Sequence, residues 1–146
     1  VVHGLSPGDY RVRLEHQEES SGLEAYAFEE YSVRLAEGEN QIELQASPAR
    51  TLQLLLLNGS DGLALRDAQV AAYRADGAPI ELQDDAGYRE GDYETSDWNG
   101  RVELLGLPAE EIELRIWNAE AAPGEPSYRR TIDLSQPKAE IVTLRL

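Results

Sequence analysis

Acidic residues in the middle of the chain are the first candidates for chemistry. Asp84, Asp85, Asp92 and Asp97 lie in one short stretch, and hard oxygen ligands on a loop suit Ca²⁺. Their spacing is not that of an EF-hand loop, and Arg89 lies among the carboxylates. Two interpretations follow: a calcium site on these aspartates or, as the composition favours, a solvated acidic loop between strands.

Aromatic residues lie in the same stretch and just after it. Tyr88, Tyr93 and Trp98 could stack on sugar rings beside the carboxylates, or could pack over one end of the fold. Asn58-Gly59-Ser60 matches the acceptor tripeptide for N-glycosylation. The same three residues are also typical of a turn. The sequence thus offers two candidate sites for sugars: a binding surface at the three aromatic residues and a glycosylation site at Asn58.

Catalytic residues are scarce in this composition. The chain has no Cys, which excludes disulfides, thiol nucleophiles and iron–sulfur sites. His3 and His16 are the two imidazoles, so a zinc site or a Ser-His-Asp triad would depend on them. Nothing singles out two of the 28 acidic residues as a glycosidase pair. We therefore expect no enzyme and no cofactor.

The charge of the chain limits its partners. A net charge of −15 argues against nucleic acid and anionic membranes, which need clustered Lys and Arg. The longest apolar run, residues 54–57, is far too short to span a bilayer. High acidity favours solubility and suits a cation-rich medium outside the cell. We expect an exported bacterial protein, extracellular or at the cell surface.

Apolar and polar residues alternate with a period of two, which predicts strands rather than helices. Asn58-Gly59, Asp76-Gly77 and Asn99-Gly100 are turn signals between them. Seven or so short strands at this spacing indicate a β-sandwich. The predicted strands lie near residues 10–15, 31–35, 41–45, 51–57, 68–74, 101–105, 111–117, 129–134 and 140–146, with a weaker one near 80–83 or 88–94.

Two distant stretches of the chain resemble each other. Gly4-Leu5-Ser6-Pro7, followed by an alternating strand, lines up without a gap on Gly106-Leu107-Pro108-Ala109 and its strand. Later, Val33-Arg34-Leu35 corresponds to Ile132-Asp133-Leu134. Self-similarity of this kind marks a tandem array. It predicts a partial module, the back half of a sandwich, over residues 1–48 and a complete module over residues 49–146.

Three apolar side chains do not fit a single buried face. Leu55 and Leu57 lie opposite in parity to Leu52, Leu54 and Leu56. A strand that is apolar on both faces is either a central strand with extra packing or one that contacts a neighbouring module or subunit. Trp117 is likewise opposite in parity to the apolar residues before it, and could be either a core aromatic or a rim or interface aromatic.

Several motifs resemble the carboxypeptidase regulatory-like domain. An apolar strand with Asp61-Gly62 and then Ala68-Gln69-Val70 is similar to the opening of that family. Ser96-Asp97-Trp98-Asn99-Gly100 resembles its hairpin, and Gly106-Leu107-Pro108-Ala109 its last turn. Departures are Val102 and Glu110-Glu111. The resemblance implies a transthyretin-like (Ig-like), seven-stranded sandwich. Related Cna-B modules can form a Lys–Asn cross-link, which the late position of Lys138 does not favour.

These features predict a structural or adhesive module of an exported tandem-repeat surface protein. A half module leaves open strand edges, which invite pairing with another chain and allow a filament. The expected partners are neighbouring modules or identical subunits, with glycans conceivable. The alternative is an accessory or carbohydrate-binding sandwich attached to a secreted hydrolase.

Overall fold

The computed structural model describes residues 4–14, 27, 29–84, 87–88, 93–119, 124–138 and 140–146. Every regular element in these ranges is a β-strand, so the predicted all-β class is confirmed. Within the same ranges, no helix has the length and apolar character needed to cross a membrane.

The strands are numbered in chain order. They are β1 (Gly8–Leu14), β2 (Glu29–Leu35), β3 (Arg50–Leu57), β4 (Gln69–Arg74), β5 (Gln83–Asp84), β6 (Gly87–Tyr88), β7 (Glu94–Thr95), β8 (Arg101–Leu107), β9 (Glu111–Trp117), β10 (Tyr128–Asp133) and β11 (Val142–Arg145).

Strands β3 to β11 form a sandwich of two sheets. One sheet has the order β10-β9-β4-β7 and is antiparallel throughout. The other has the order β11-β3-β8-β5-β6. In this second sheet β11 runs parallel to β3, with Val142 opposite Leu54, while β3 and β8 are antiparallel. The β-sandwich expected from strand spacing is therefore present.

The core lies between these two sheets and follows the alternation in the sequence. Leu52, Leu54 and Leu56 point inward from β3 and are at most 1% exposed. From the opposite sheet, Ile112 and Leu114 are equally buried. Each such side chain contributes about 1.5–3 kcal/mol relative to an exposed one. The residues between them in sequence face outward. A shift of the strand register by one residue would therefore move the apolar side chains out of the core.

A tight turn before β8 closes one end of the sandwich. Gly100 has a φ of +76°, and a Cβ added there would lie 2.4 Å from the Leu56 carbonyl oxygen. Asp97 Oδ1 accepts hydrogen bonds from the backbone N–H groups of Asn99 and Arg101, both at 2.8 Å. The predicted Asn-Gly turn is thus present. Its glycine is required by close backbone approach as well as by φ.

Strands β1 and β2 form a separate two-stranded ribbon. They pair antiparallel, with Tyr10 opposite Val33. None of the described ribbon side chains belongs to the buried cluster of the sandwich. The backbone N–H of Ala27 donates to the Ser47 carbonyl at 2.9 Å, which anchors the connector that leads into β3.

The predicted strand at residues 41–45 is wrong. Residues 41–47 form no strand, although the corresponding stretch near the end of the chain forms β11. The physical reason is the partner: β11 is held by its parallel ladder to β3. No strand in the described part of the chain stands in that relation to residues 41–45. In the described parts of the ranges predicted for a weaker strand, near 80–83 or 88–94, and beside them, the structure has the short strands β5, β6 and β7.

We predict that Gly100→Ala destabilises the sandwich by about 2 kcal/mol or more, because a side chain at positive φ is strained and its Cβ would overlap the Leu56 carbonyl. Gly77→Ala is the matched control, since Gly77 has a φ of +87° but no heavy atom near its added Cβ. Its cost should be limited to about 1 kcal/mol of backbone strain. Urea unfolding measures both; equal losses would contradict the overlap argument.

Candidate functional site

The apolar face of the ribbon is the main candidate site. Side chains alternate along both strands, so one face is apolar and half-buried while the other is charged and exposed. On the charged face, Arg11 pairs with Glu30 at 3.4 Å and Arg34 with Asp9 at 3.9 Å. A two-stranded ribbon is marginal by itself. The apolar face consists of Tyr10, Val12, Tyr31, Val33 and Leu35.

The ribbon is paired in the same register as β9 and β10. Tyr10 lies opposite Val33, and at the positions aligned with them Ile112 lies opposite Ile132. The turn before each pair also agrees, because Gly4 has a φ of +81° and Gly106 a φ of +76°. This is the pairing that a repeat of the two stretches would have. The division into modules at residues 48 and 49 stays a prediction.

The two strand pairs differ in what covers them. Ile112, Leu114 and Ile132 face the opposing sheet and are buried. The aligned ribbon residues are only half-buried. The contrast is largest just before each strand pair, where Leu107, the last residue of β8, is fully buried and Leu5 is 52% exposed. The ribbon is therefore an apolar sheet face without a second layer among the described residues.

The outer edge of β1 is also without a partner in the described sheets. In the sandwich, β9 uses the corresponding edge to pair with β4, from Gln69 opposite Trp117 to Arg74 opposite Ile112. A strand edge with free N–H and C=O groups is a template for another strand. Among the described residues, the ribbon thus lacks both a second layer over its apolar face and a strand paired with the outer edge of β1.

A cleft of about 490 Å³ separates the ribbon from the sandwich. Arg74 lies in its wall and forms an ion pair of 2.6 Å with Glu110. Carboxylates and one guanidinium line the cleft beside a few apolar groups, an arrangement that suits packing contacts better than a reaction. Its lining residues are Glu30, Tyr31, Arg74, Ala78, Pro79, Ile80 and Glu81.

The leucines predicted to lie at an interface are on the outer face of β3. Leu55 and Leu57 are half-buried there, and β3 is a central strand between β11 and β8. The central position agrees with one of the two interpretations of this strand. Contact with another module or subunit stays a prediction for both residues.

Trp117 ends β9 on the outer side of its sheet, in line with its parity. The indole is half-buried, and its Nε1–H donates to the Gly124 carbonyl at 2.9 Å. This bond fixes the ring beside the connection to β10. The structure thus places Trp117 at the rim, and its role at an interface stays a prediction.

The acidic stretch is only partly described. Asp85 and Asp92 lie outside the described residues, and Asp84 ends β5. Asp97 uses one carboxylate oxygen to accept the two turn hydrogen bonds described above. Among the described side chains, no group of three or more acidic or imidazole residues is arranged to hold a metal ion. The calcium site stays a prediction.

The three aromatics predicted to stack on glycans occupy different elements. Tyr88 ends β6, Tyr93 precedes β7 and Trp98 lies in the turn before β8. Tyr93 is 48% exposed and Trp98 is 77% exposed. The exposed indole of Trp98 is available to a ligand. A shared sugar-binding surface for the three rings stays a prediction.

The candidate glycosylation residue lies in the turn after β3. Asn58 Oδ1 accepts hydrogen bonds from the Ser60 N–H at 2.9 Å and from the Ser60 hydroxyl at 2.8 Å. The tripeptide therefore does form a turn, and Asn58 is half-buried in it. Glycosylation at Asn58 stays a prediction. His3 and His16, the two imidazoles, lie outside the described residues.

Sequence reasoning missed Ser96 as a structural residue. Its side chain is 2% exposed, and its hydroxyl donates to the Leu65 carbonyl at 2.7 Å. The same oxygen accepts from the Ala68 N–H at 3.0 Å. Ser96 therefore joins the loop before β4 to the turn that carries Trp98. A polar residue beside a turn motif was the available signal, but such residues are usually exposed.

Sequence reasoning also missed a charged cluster on the outer face of β9. The Arg115 guanidinium lies 3.7 Å from the centroid of the Tyr73 ring, and its Nε donates to Glu113 at 2.6 Å. Arg129 adds a second bond to Glu113 at 3.0 Å. The hydrogen bond from Arg115 is the main reason that the pKa of Glu113 lies below its ordinary value.

Comparison with known proteins gives one structural similarity. No family model and no curated protein matches the chain. The solved structure of a streptococcal ancillary pilin aligns with a TM-score of 0.47 at 17% identity, over 97% of this chain and 42% of that one. The chain thus spans less than half of the pilin's length. An agreement this loose carries no argument about function, and the carboxypeptidase regulatory-like resemblance stays a prediction.

We predict that Ser96→Ala lowers the free energy of unfolding by about 1–3 kcal/mol, because the buried N–H of Ala68 would lose its acceptor. Ser32→Ala, on the exposed face of the ribbon, is the control and should cost under about 0.5 kcal/mol. Thermal or urea unfolding measures both variants. A neutral Ser96→Ala would refute the anchoring role.

Glu113→Gln should lower stability at neutral pH by about 1 kcal/mol or less, since the ion pair is partly solvated. The folded pKa of Glu113 is depressed, so its contribution is present above its unfolded pKa and disappears as the pH falls through the folded pKa. Urea unfolding between pH 7 and pH 3 should show the difference shrinking with acidity. The exposed Glu111→Gln on the same strand is the control. A difference that grows towards low pH would contradict this sign.

Proposed function

We propose that this chain is a non-catalytic structural module of an exported surface protein or extracellular filament, joined to neighbouring modules through strand edges and apolar faces. The observation that carries the proposal is the ribbon, whose half-buried apolar face and outer β1 edge have no second layer and no strand partner among the described residues. Surfaces of this kind are satisfied by another strand-bearing layer.

The connection between ribbon and sandwich supports a linear arrangement. Ser47 accepts the hydrogen bond from Ala27, and β3 begins at Arg50, so few residues separate an anchored point from the next strand. A flexible linker would need a longer, polar stretch. Short connections let successive modules transmit force and keep their orientation, which suits a fibrous or stalk-like protein.

The charge distribution supports assembly outside the cell. The net charge of −15 repels nucleic acid and anionic lipid and keeps separate chains apart in solution. Association must therefore come from directional contacts such as strand pairing. A contact between unlike surfaces does not close on itself, and its repetition extends a chain of subunits.

A carbohydrate-binding role is the second candidate, favoured by the 77% exposure of Trp98. An exposed indole in a rigid turn can stack on a sugar ring at low entropic cost. Glycan-array binding that is lost in Trp98→Ala and kept in the exposed Leu63→Ala would support this role. No binding by the unmodified chain would remove it.

The structural role predicts that antibodies against the sandwich label intact cells of the source organism. Immunogold electron microscopy should place the label at the surface or along filaments. Cells permeabilised before labelling are the control for total protein. Label that appears only after permeabilisation would contradict the proposal, as would a hydrolytic activity that purifies with the chain and is lost on mutation of its own residues.

A further inference from the structure

We propose that the ribbon is the back half of a second sandwich, and that its face and edge receive a front half carried by the same polypeptide, N-terminal to Gly4. This inference rests on the tandem organisation within the proposed function. The front half would be a set of strands of the kind found in residues 50–107, which contribute to both sheets of the sandwich. The surfaces that receive it are the apolar face of β1 and β2 and the outer edge of β1.

The complete sandwich shows what such a strand pair needs. Strands β9 and β10 are covered by the inner faces of β3 and β8, where Leu54 and Leu104 are at most 1% exposed. Strand β4 closes the other side of β9 with a six-residue antiparallel ladder. The ribbon has the register of β9 and β10 but has neither the cover nor the ladder among the described residues.

The ribbon side chains suit a cover of that type. Val12 aligns with the fully buried Leu114, and Val33 with Ile132, which is 9% exposed. Both valines are half-buried and project from the apolar face. Completing the burial of a partly exposed aliphatic side chain contributes about 1 kcal/mol or less. An apolar sheet layer is the partner whose chemistry fits, because the five described side chains of the apolar face are uncharged.

Residues 41–45, after β2, are a third segment that, in the described part of the chain, lacks the strand partner of its counterpart, since β11 pairs with β3. Asn40 Oδ1 accepts from the Ala36 N–H at 2.9 Å, and Asn40 Nδ2 donates to the Ala36 carbonyl at 2.9 Å. This turn directs the chain into residues 41–45, and the Tyr31 hydroxyl donates to the Gln45 carbonyl. The segment is thus held beside the ribbon without a ladder. A strand like β3 would give it the parallel partner that β11 has.

The turn before β1 indicates where the cover comes from. In the complete module, β8 passes into β9 through Gly106, and Gly4 holds the same left-handed conformation before β1. The Tyr10 hydroxyl donates to the Ser6 carbonyl at 2.7 Å, which fixes this turn to the strand. By analogy with Gly106 in β8, we expect the polypeptide upstream of this turn to form a β8-like strand.

A second copy of this chain is the weaker occupant on energetic grounds. Its own strands β3 and β8 are already buried against β9 and β10. To cover a neighbour's ribbon they would have to expose Leu52, Leu56 and the other core side chains, at about 1.5–3 kcal/mol each. The exchange yields no net burial. A front half that has no other partner gains the full amount.

Amide hydrogen exchange tests the proposal on two forms of the protein. One is the 146-residue chain, and the other is the parent polypeptide extended upstream by a segment as long as residues 50–107. We expect the Tyr10 and Val12 amides to exchange at least ~100-fold more slowly in the extended form, because global unfolding would then limit their exchange. Leu114 amide exchange should be slow in both forms and is the internal control.

Two variants distinguish docking of the front half onto the ribbon from folding of the complete sandwich. Val12→Asp should remove the added protection of β1 in the extended form, while Ser32→Asp on the opposite, exposed face should keep it. The β9 amides report in each sample that the complete sandwich is intact. Equal exchange of β1 in the short and extended forms would overturn the proposal, and so would equal effects of the two variants.

A concentration series of the 146-residue chain tests whether a second copy of the chain covers the ribbon. Protection of β1 that rises with concentration would identify a second copy as the cover and overturn the proposal. Unchanged exchange across the series supports it. The outcomes are also separable from the proposed function, since surface labelling of cells tests export and assembly without reference to β1. Protection in the extended form with no surface label would leave this inference standing and remove the structural role outside the cell.

Discussion

An apolar sheet face is stable only when a second layer covers it, and this requirement governs the whole structure. In the sandwich it is met, because the leucines of β3 and the isoleucines of β9 bury each other completely. In the ribbon the same alternation and the same strand register lack that layer among the described residues. Burial rather than local geometry thus distinguishes the ribbon from the matching strand pair of the sandwich.

The turn before β8 is held rigidly against the packed sandwich. Gly100 lets the turn before β8 approach Leu56 closely, and Ser96 joins that turn to the loop before β4. Both contacts fix the end of the sandwich from which Trp98 projects. An exposed side chain held on a rigid turn can bind without a large loss of entropy. The ribbon face and this rigid tip are thus two candidate functional surfaces among the described residues.

Much of the fold was predictable because strand alternation is a local property. Strands β3, β9 and β10 lie where the period-two pattern places them, and Asn99-Gly100 forms a turn as its residues indicate. Residues 41–45 show the limit of this reasoning. Their pattern resembles that of β11, but a strand also needs a partner, and the partner is remote in sequence. The clusters around Ser96 and Glu113 escaped prediction for the same reason.

The sequence by itself determined the all-β class, the faces of the strands and the resemblance between the stretches that form the ribbon and the pair β9–β10. Alternation of side chains and turn residues act over a few neighbouring positions, so they can be read along the chain. Only the tertiary structure decided which apolar faces are covered. It also decided that Leu107 is buried while its counterpart Leu5 is exposed. Burial depends on what distant strands bring to the same place, and a local pattern does not contain that information.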